Sequence, residues 1–135
     1  MKIYPAKEEN ILANENVNER ALNVSKEICK AAADKKARSI VYMDMQGLMS
    51  STDYFVICSA PTATQVRATS DNIEEKLLEK GIAFDHREGY HEGEWILLDY
   101  GDVVAHIFKE EAREYYALER LWGDATLTPY DDDEV

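Results

Sequence analysis

Hydrophobic positions along the chain change period several times, and each change marks an element. Residues 1–15 show no clear period and read as a short arm. Asn16 followed by Glu19 resembles a capping box. Behind it Ala21, Leu22, Ser25, Ile28, Cys29 and Ala32 recur three or four apart, which predicts a helix over 17–35. Lys35, Lys36 and Arg38 close it, where the helix dipole favours cations. Ser39 to Asp44 then reads as a short strand. After a loop around Gly47, residues 53–59 form a second strand, apolar from Tyr54 to Cys58 without alternation. A run of that kind fits burial on both faces, hence a central position in a sheet.

Ala60-Pro61 ends that strand, and Thr62 with Gln65 suggests a second capping box. Val66, Thr69, Ile73 and Leu77 form the stripe of a second helix, with Gly81 at its C′ position. Residues 82–88 read as a weaker strand. Residues 94–100 and 103–109 read as strong ones, joined by the two-residue link Gly101-Asp102 into a hairpin. A third helix is expected over 110–122, with Tyr115, Leu118 and Trp122 on one stripe and Gly123 as its stop. The order α-β-β-α-β-β-β-α argues an α/β fold, a mixed five-stranded sheet packed with helices. The acidic segment 124–135 is expected to be a mobile tail.

Charge narrows the function. Of 27 acids and 15 bases, five acids lie in the last twelve residues, so the rest of the chain holds 22 acids against the same 15 bases. The formal charge of −12 disfavours nucleic-acid phosphate and an anionic membrane surface, and favours a basic protein partner. The apolar runs fall short of the ~18 residues of a membrane span, and no signal-peptide core is expected at the polar N-terminus. Two cysteines fit a reducing cytosol, hence a cytoplasmic protein.

Candidate chemistry is thin. His86, His91, His106, Cys29 and Cys58 share no metal-ligand spacing, so no metal or cofactor is expected. A Cys58–His106 nucleophile pair has no local support. Asp44, Asp53 and Asp99 lie near strand ends and could gather around magnesium. However, Asp53 is followed by Tyr54 and Phe55 rather than by a second alternating acid. Strand-terminating acids are the simpler reading. The aromatics lead further. Trp95, Leu97 and Asp99 take one face of their strand; Ile96, Leu98 and Tyr100 take the other. One face meets the helices, and the other, ringed by Glu88, Glu92, Asp99 and Asp102, suits a basic partner. Alternation alone leaves Trp95 equally readable as core.

Several blocks in fixed order resemble one family. Asp53 to Ala60 reads DYFVICSA, followed by Gln65 and Asp71-Asn72-Ile73-Glu74. Glu88-Gly89, Trp95 and Leu98 to Val104 (LDYGDVV) come next, then His106-Ile107-Phe108, Arg113, Tyr116, Leu118-Glu119 and Leu121-Trp122. This resembles the ribosomal silencing factor family, also called Iojap-like or RsfS, over about 17–125. The resemblance implies a domain over 17–123, between an arm (1–16) and the tail (124–135). It implies a nucleotidyltransferase-like topology without catalytic acids, and a protein that is not an enzyme.

It further implies binding to the large ribosomal subunit through its fourteenth ribosomal protein. Binding there blocks joining with the small subunit and represses translation when nutrients are short. An assembly role for the large subunit is the alternative the resemblance allows, and a divergent nucleotidyltransferase is a more distant one. Carried over by position, the partner-binding residues are Glu88, Trp95, Leu97, Leu98, Asp99 and Tyr100. A homodimer is also implied. The chain departs from the family at Ala105, where a larger aliphatic is common, and at Pro61-Thr62, which replaces a more polar stretch.

Overall fold

The computed structural model describes residues 2–3 and 17–131. In chain order the elements are β1 (Lys2–Ile3), α1 (Val17–Asp34), β2 (Arg38–Asp44), β3 (Tyr54–Ala60) and α2 (Ala63–Glu79). They continue with β4 (Ile82–Ala83), β5 (His86–Glu88), β6 (Trp95–Asp99), β7 (Val103–Lys109), α3 (Glu110–Tyr116), α4 (Leu118–Leu121) and β8 (Thr126–Pro129).

The main sheet has six strands in the order β5-β6-β7-β3-β2-β8, where five were expected. The sixth is β8, which comes from the segment read as a tail. Its Thr-Leu-Thr run pairs antiparallel with the open edge of β2, Leu127 opposite Met43, and the Tyr130 N–H donates to the Ile40 carbonyl just beyond. The acids that follow hid this strand in a composition-based reading. The cluster Asp132–Glu134 and the cap at Asn16 lie outside the described residues.

β3 is the central strand its unbroken apolar run predicted. All seven of its residues are buried, and it runs parallel to β7 and antiparallel to β2. The 82–88 strand is divided. β4 pairs with β1 in a separate two-stranded sheet, and only β5 joins the main one.

Helix ends follow local chemistry. α1 closes in a Schellman motif, with the Ala37 N–H donating to the Ala32 carbonyl and the Lys36 N–H to Ala33, Lys36 being left-handed at φ 62°. Thr62 caps α2 by accepting from the Gln65 N–H (3.2 Å), as the capping box requires. The third helix is not continuous. Ala117 adopts φ 45°, ψ 50° and splits it into α3 and α4.

Two cores lie on opposite faces of the sheet. α1 and α2 cover one, where Ile28, Ile73 and Leu77 meet Val56, Cys58, Leu98, Tyr100 and Ile107. Residues of α3 and α4 (Ala112 and Leu118) meet the other over Val41, Met43, Phe55, Ile57 and Phe108. These short helices leave the β5–β6 end of that second face uncovered, and this fixes the site.

Candidate functional site

Strand pairing aligns side chains across the second face. Glu88, Leu97, His106 and Ile57 stand opposite one another in one row. Trp95 and Phe108 form the row on one side of it; His86, Asp99, Val104 and Phe55 form the row on the other. Moving from β3 toward the β5 edge, burial falls. Ile57 is fully buried, Leu97 and Trp95 are partly exposed, and Glu88 is exposed.

Four of the six residues expected to bind a partner therefore share one surface: Glu88, Trp95, Leu97 and Asp99. Leu98 and Tyr100 do not. The pleat turns both into the core under α2, where each is 0% exposed. Their side chains belong to the core that anchors β6. Asp99 has a local task as well, since its Oδ1 accepts the Gly101 N–H (2.7 Å) and shapes the β6–β7 turn. Glu88 Oε2 lies 2.6 Å from His86 Nε2 at the exposed edge.

Trp95 is the best-anchored of the four. Its ring stacks on Phe108 (centroids 4.8 Å) and meets Tyr116 of α3 at 4.9 Å. Its indole Nε1–H donates to His106 Nδ1 (3.1 Å). That bond fixes the histidine as the neutral Nε2–H tautomer, because the other ring nitrogen is the acceptor. His106 is 4% exposed, packs edge-on to Phe55 at 4.6 Å, and leaves Nε2 without a partner among the described residues. Burial lowers its pKa to about 3.

Spacing along the chain gives His106 neither a metal-ligand nor a nucleophile role; its place under Trp95 depends on cross-strand register. The i, i+2 spacing of Val104, His106 and Phe108 was the available signal. Tyr116 was missed as a wall of the Trp95 site because the expected stripe of the third helix ran through Tyr115, which the structure leaves exposed, while Tyr116 meets Trp95.

Gly89 completes the geometry. At φ +81° it turns the chain from β5 toward β6, and a Cβ there would stand 2.0 Å from the Trp95 carbonyl oxygen. Only glycine allows that approach.

The other candidate groups separate. Cys58 lies on the helix-covered face, the face opposite His106, so the sheet divides that pair. Burial pushes the Cys58 thiol up to about 12. Asp53 is raised by partial burial and by Asp102 and Asp44 nearby, while Asp99 turns to its own loop. Among the described residues, no three His, Cys, Asp or Glu side chains gather as metal ligands do. Among the same residues, no helix is long and apolar enough to cross a membrane.

Residues 18–135 match the model of the family described as ribosomal silencing factor during starvation. The ribosomal silencing factor RsfS of Bacillus subtilis (strain 168) is 44% identical over 110 residues, covering 78% of this chain and 93% of that protein. The chloroplastic protein Iojap of Zea mays is 35% identical over 108 residues, 78% of this chain and 46% of that protein. A crystal structure of a Chromobacterium violaceum protein superposes with a TM-score of 0.74 at 34% identity, covering 76% of this chain and 85% of that one.

Proposed function

Since the chain belongs to the ribosomal silencing factor family, we propose that it binds the large ribosomal subunit and regulates translation by preventing subunit joining. The contact is with the fourteenth large-subunit ribosomal protein. The docking face is Trp95, Leu97, Asp99 and Glu88. The observation that carries this reading is the uncovered end of the sheet. A tryptophan clamped by Phe108, Tyr116 and His106 stays only partly buried, beside an apolar Leu97 and two acids. Preorganised aromatics rimmed by charge are how protein partners anchor. The net charge of −12 supports encounter with a basic protein and disfavours exposed RNA phosphate.

The action is steric and needs no catalysis. We read the topology as nucleotidyltransferase-like with its catalytic acids missing, because Asp53 leads directly into the buried Tyr54 and Phe55. We assign the silencing domain to 17–123, with β8 as an edge addition, and place the protein in the cytoplasm. A homodimer through the same face would compete with docking.

The test is co-sedimentation with isolated large subunits, small subunits and joined ribosomes. Selective pelleting with large subunits, and fewer joined ribosomes as protein is added, is the expected result. Pelleting with large subunits at an unchanged level of joining would point to assembly instead. No pelleting with any particle would overturn the proposal.

A further inference from the structure

We infer that the docking face continues from β6 onto α3, where Tyr115 and Tyr116 receive a cationic side chain, an arginine or lysine, of the protein partner. The inference rests on the docking reading above and adds to it the chemistry that the partner presents.

Three observations carry it. The first is a ladder of rings that climbs from core to solvent. Phe108 is 0% exposed; Trp95 stacks on it; Tyr116 meets Trp95 at 4.9 Å and is 51% exposed. Tyr115 meets Tyr116 edge-on at 5.0 Å and is 81% exposed. The outer ring contributes almost nothing to the core, yet it is held in register with rings that do. Exposed, preordered aromatic surface continuous with an anchor tryptophan belongs to a binding site rather than to folding.

The second is charge. Glu111 stands one helical turn before Tyr115 and Glu114 directly precedes it. Both are exposed, and neither has an ion-pair partner among the described residues. The neighbouring acids Glu110 and Glu119 are already taken by Arg38 and Arg113. A tyrosine face beside unneutralised carboxylates attracts a guanidinium or ammonium by ring quadrupole and charge together.

The third is rigidity. α3 cannot slide along the sheet, because Arg113 donates to the Ser39 carbonyl (2.8 Å) and to Ser59 Oγ (3.2 Å) from within the same helix. The two tyrosines are therefore presented at a fixed height beside Trp95.

The experiment measures affinity of the full chain for isolated large subunits at two salt concentrations. It compares the parent chain with Tyr115→Ala, Tyr115→Phe, the double variant Glu111→Gln/Glu114→Gln, and Trp95→Ala. Far-UV circular dichroism and analytical ultracentrifugation are run on each. Tyr115 is so exposed that its variants fold as the parent does. We expect Tyr115→Ala to weaken binding about tenfold and Tyr115→Phe to restore most of it, since the ring and not the hydroxyl is required. The double Gln variant should weaken binding and flatten its salt dependence.

Binding of Tyr115→Ala within twofold of the parent, with Trp95→Ala still defective, would overturn the inference and leave the docking reading intact. Loss of self-association by Tyr115→Ala at unchanged subunit affinity would make this an interface between copies of the chain, and would equally overturn it. A parent chain that binds no large subunit would remove the docking reading, and this inference with it.

Discussion

Lowering the pH from 7 to 5 should cost this protein stability through one residue, His106. In the folded chain its Nδ1 accepts the indole N–H of Trp95 at 3.1 Å. A proton on Nδ1 would set two donors against each other, so the bond must break before the ring can charge. The surroundings offer no compensation. Phe55, Trp95 and Phe108 rings pack around it, and it is 4% exposed. Its folded pKa is accordingly lowered from 6.5 to about 3. The unfolded chain binds this proton below pH 6.5 and the folded chain does not. Stability is therefore complete above that pH and declines as pH falls toward 3. At pH 5 the unfolded state alone gains about 2 kcal/mol from protonation of a group with an ordinary histidine pKa. That is a large share of a typical domain stability of about 5–15 kcal/mol.

Other groups titrate in the same range, and Asp53, whose carboxyl is raised, acts with the opposite sign. The assay isolates the histidine by difference. Urea unfolding of the parent chain and of His106→Leu is followed at pH 7, 6 and 5. The parent should lose about 2 kcal/mol more than the variant between pH 7 and 5. Parallel losses in the two proteins would refute the reasoning, and would mean that His106 charges without leaving its site.

Other substitutions test the frame around Trp95. Gly89→Ala should destabilise by at least about 2 kcal/mol in chemical denaturation, combining a left-handed backbone with a Cβ 2.0 Å from the Trp95 carbonyl oxygen; an effect under half that would mean the loop relaxes freely. Arg113→Ala removes the guanidinium that joins Glu119, Ser39 and Ser59, and should cost roughly 3 kcal/mol by the same assay, as expected for a largely buried charge left unpaired. Ala117→Gly should stabilise by up to about 1 kcal/mol, because Ala117 is left-handed at φ 45°; a continuous helix through 117 would instead lose about that much.

How much of this was legible beforehand depended on the kind of signal. The unbroken apolar run of β3 specified a central strand because only two-sided burial tolerates it. The Thr62 cap, the Gly81 stop and the Gly101 turn were readable because each is set by residues adjacent in sequence. The α3–α4 break was not. Alanine at 117 is the best helix former, and the left-handed turn there is imposed by tertiary contacts, namely Leu118 in the core and Arg113 on Glu119. β8 was hidden for a related reason. A four-residue edge strand has little periodicity, and the charge beyond it dominates composition.

The proposed docking face shows the same division. Alternation separated Trp95, Leu97 and Asp99 from Leu98 and Tyr100, but it is symmetric between the two faces of a strand. Which side the helices cover was decided by α2 packing against β6, whose Leu98 and neighbouring Tyr100 join that core. His106 and Tyr116 entered the site only through strand register and the face that α3 turns to the sheet, neither of which is local.

In the proposed function, the partly exposed Trp95 docks on the fourteenth large-subunit ribosomal protein. Its most direct test is the affinity of the isolated ribosomal protein for the parent chain and for Trp95→Ala, with circular dichroism confirming that the variant is folded. The expected result is a loss of at least ~2 kcal/mol, the threshold of an interface hot spot, or about thirtyfold in Kd. A folded Trp95→Ala chain that binds as tightly as the parent would contradict it.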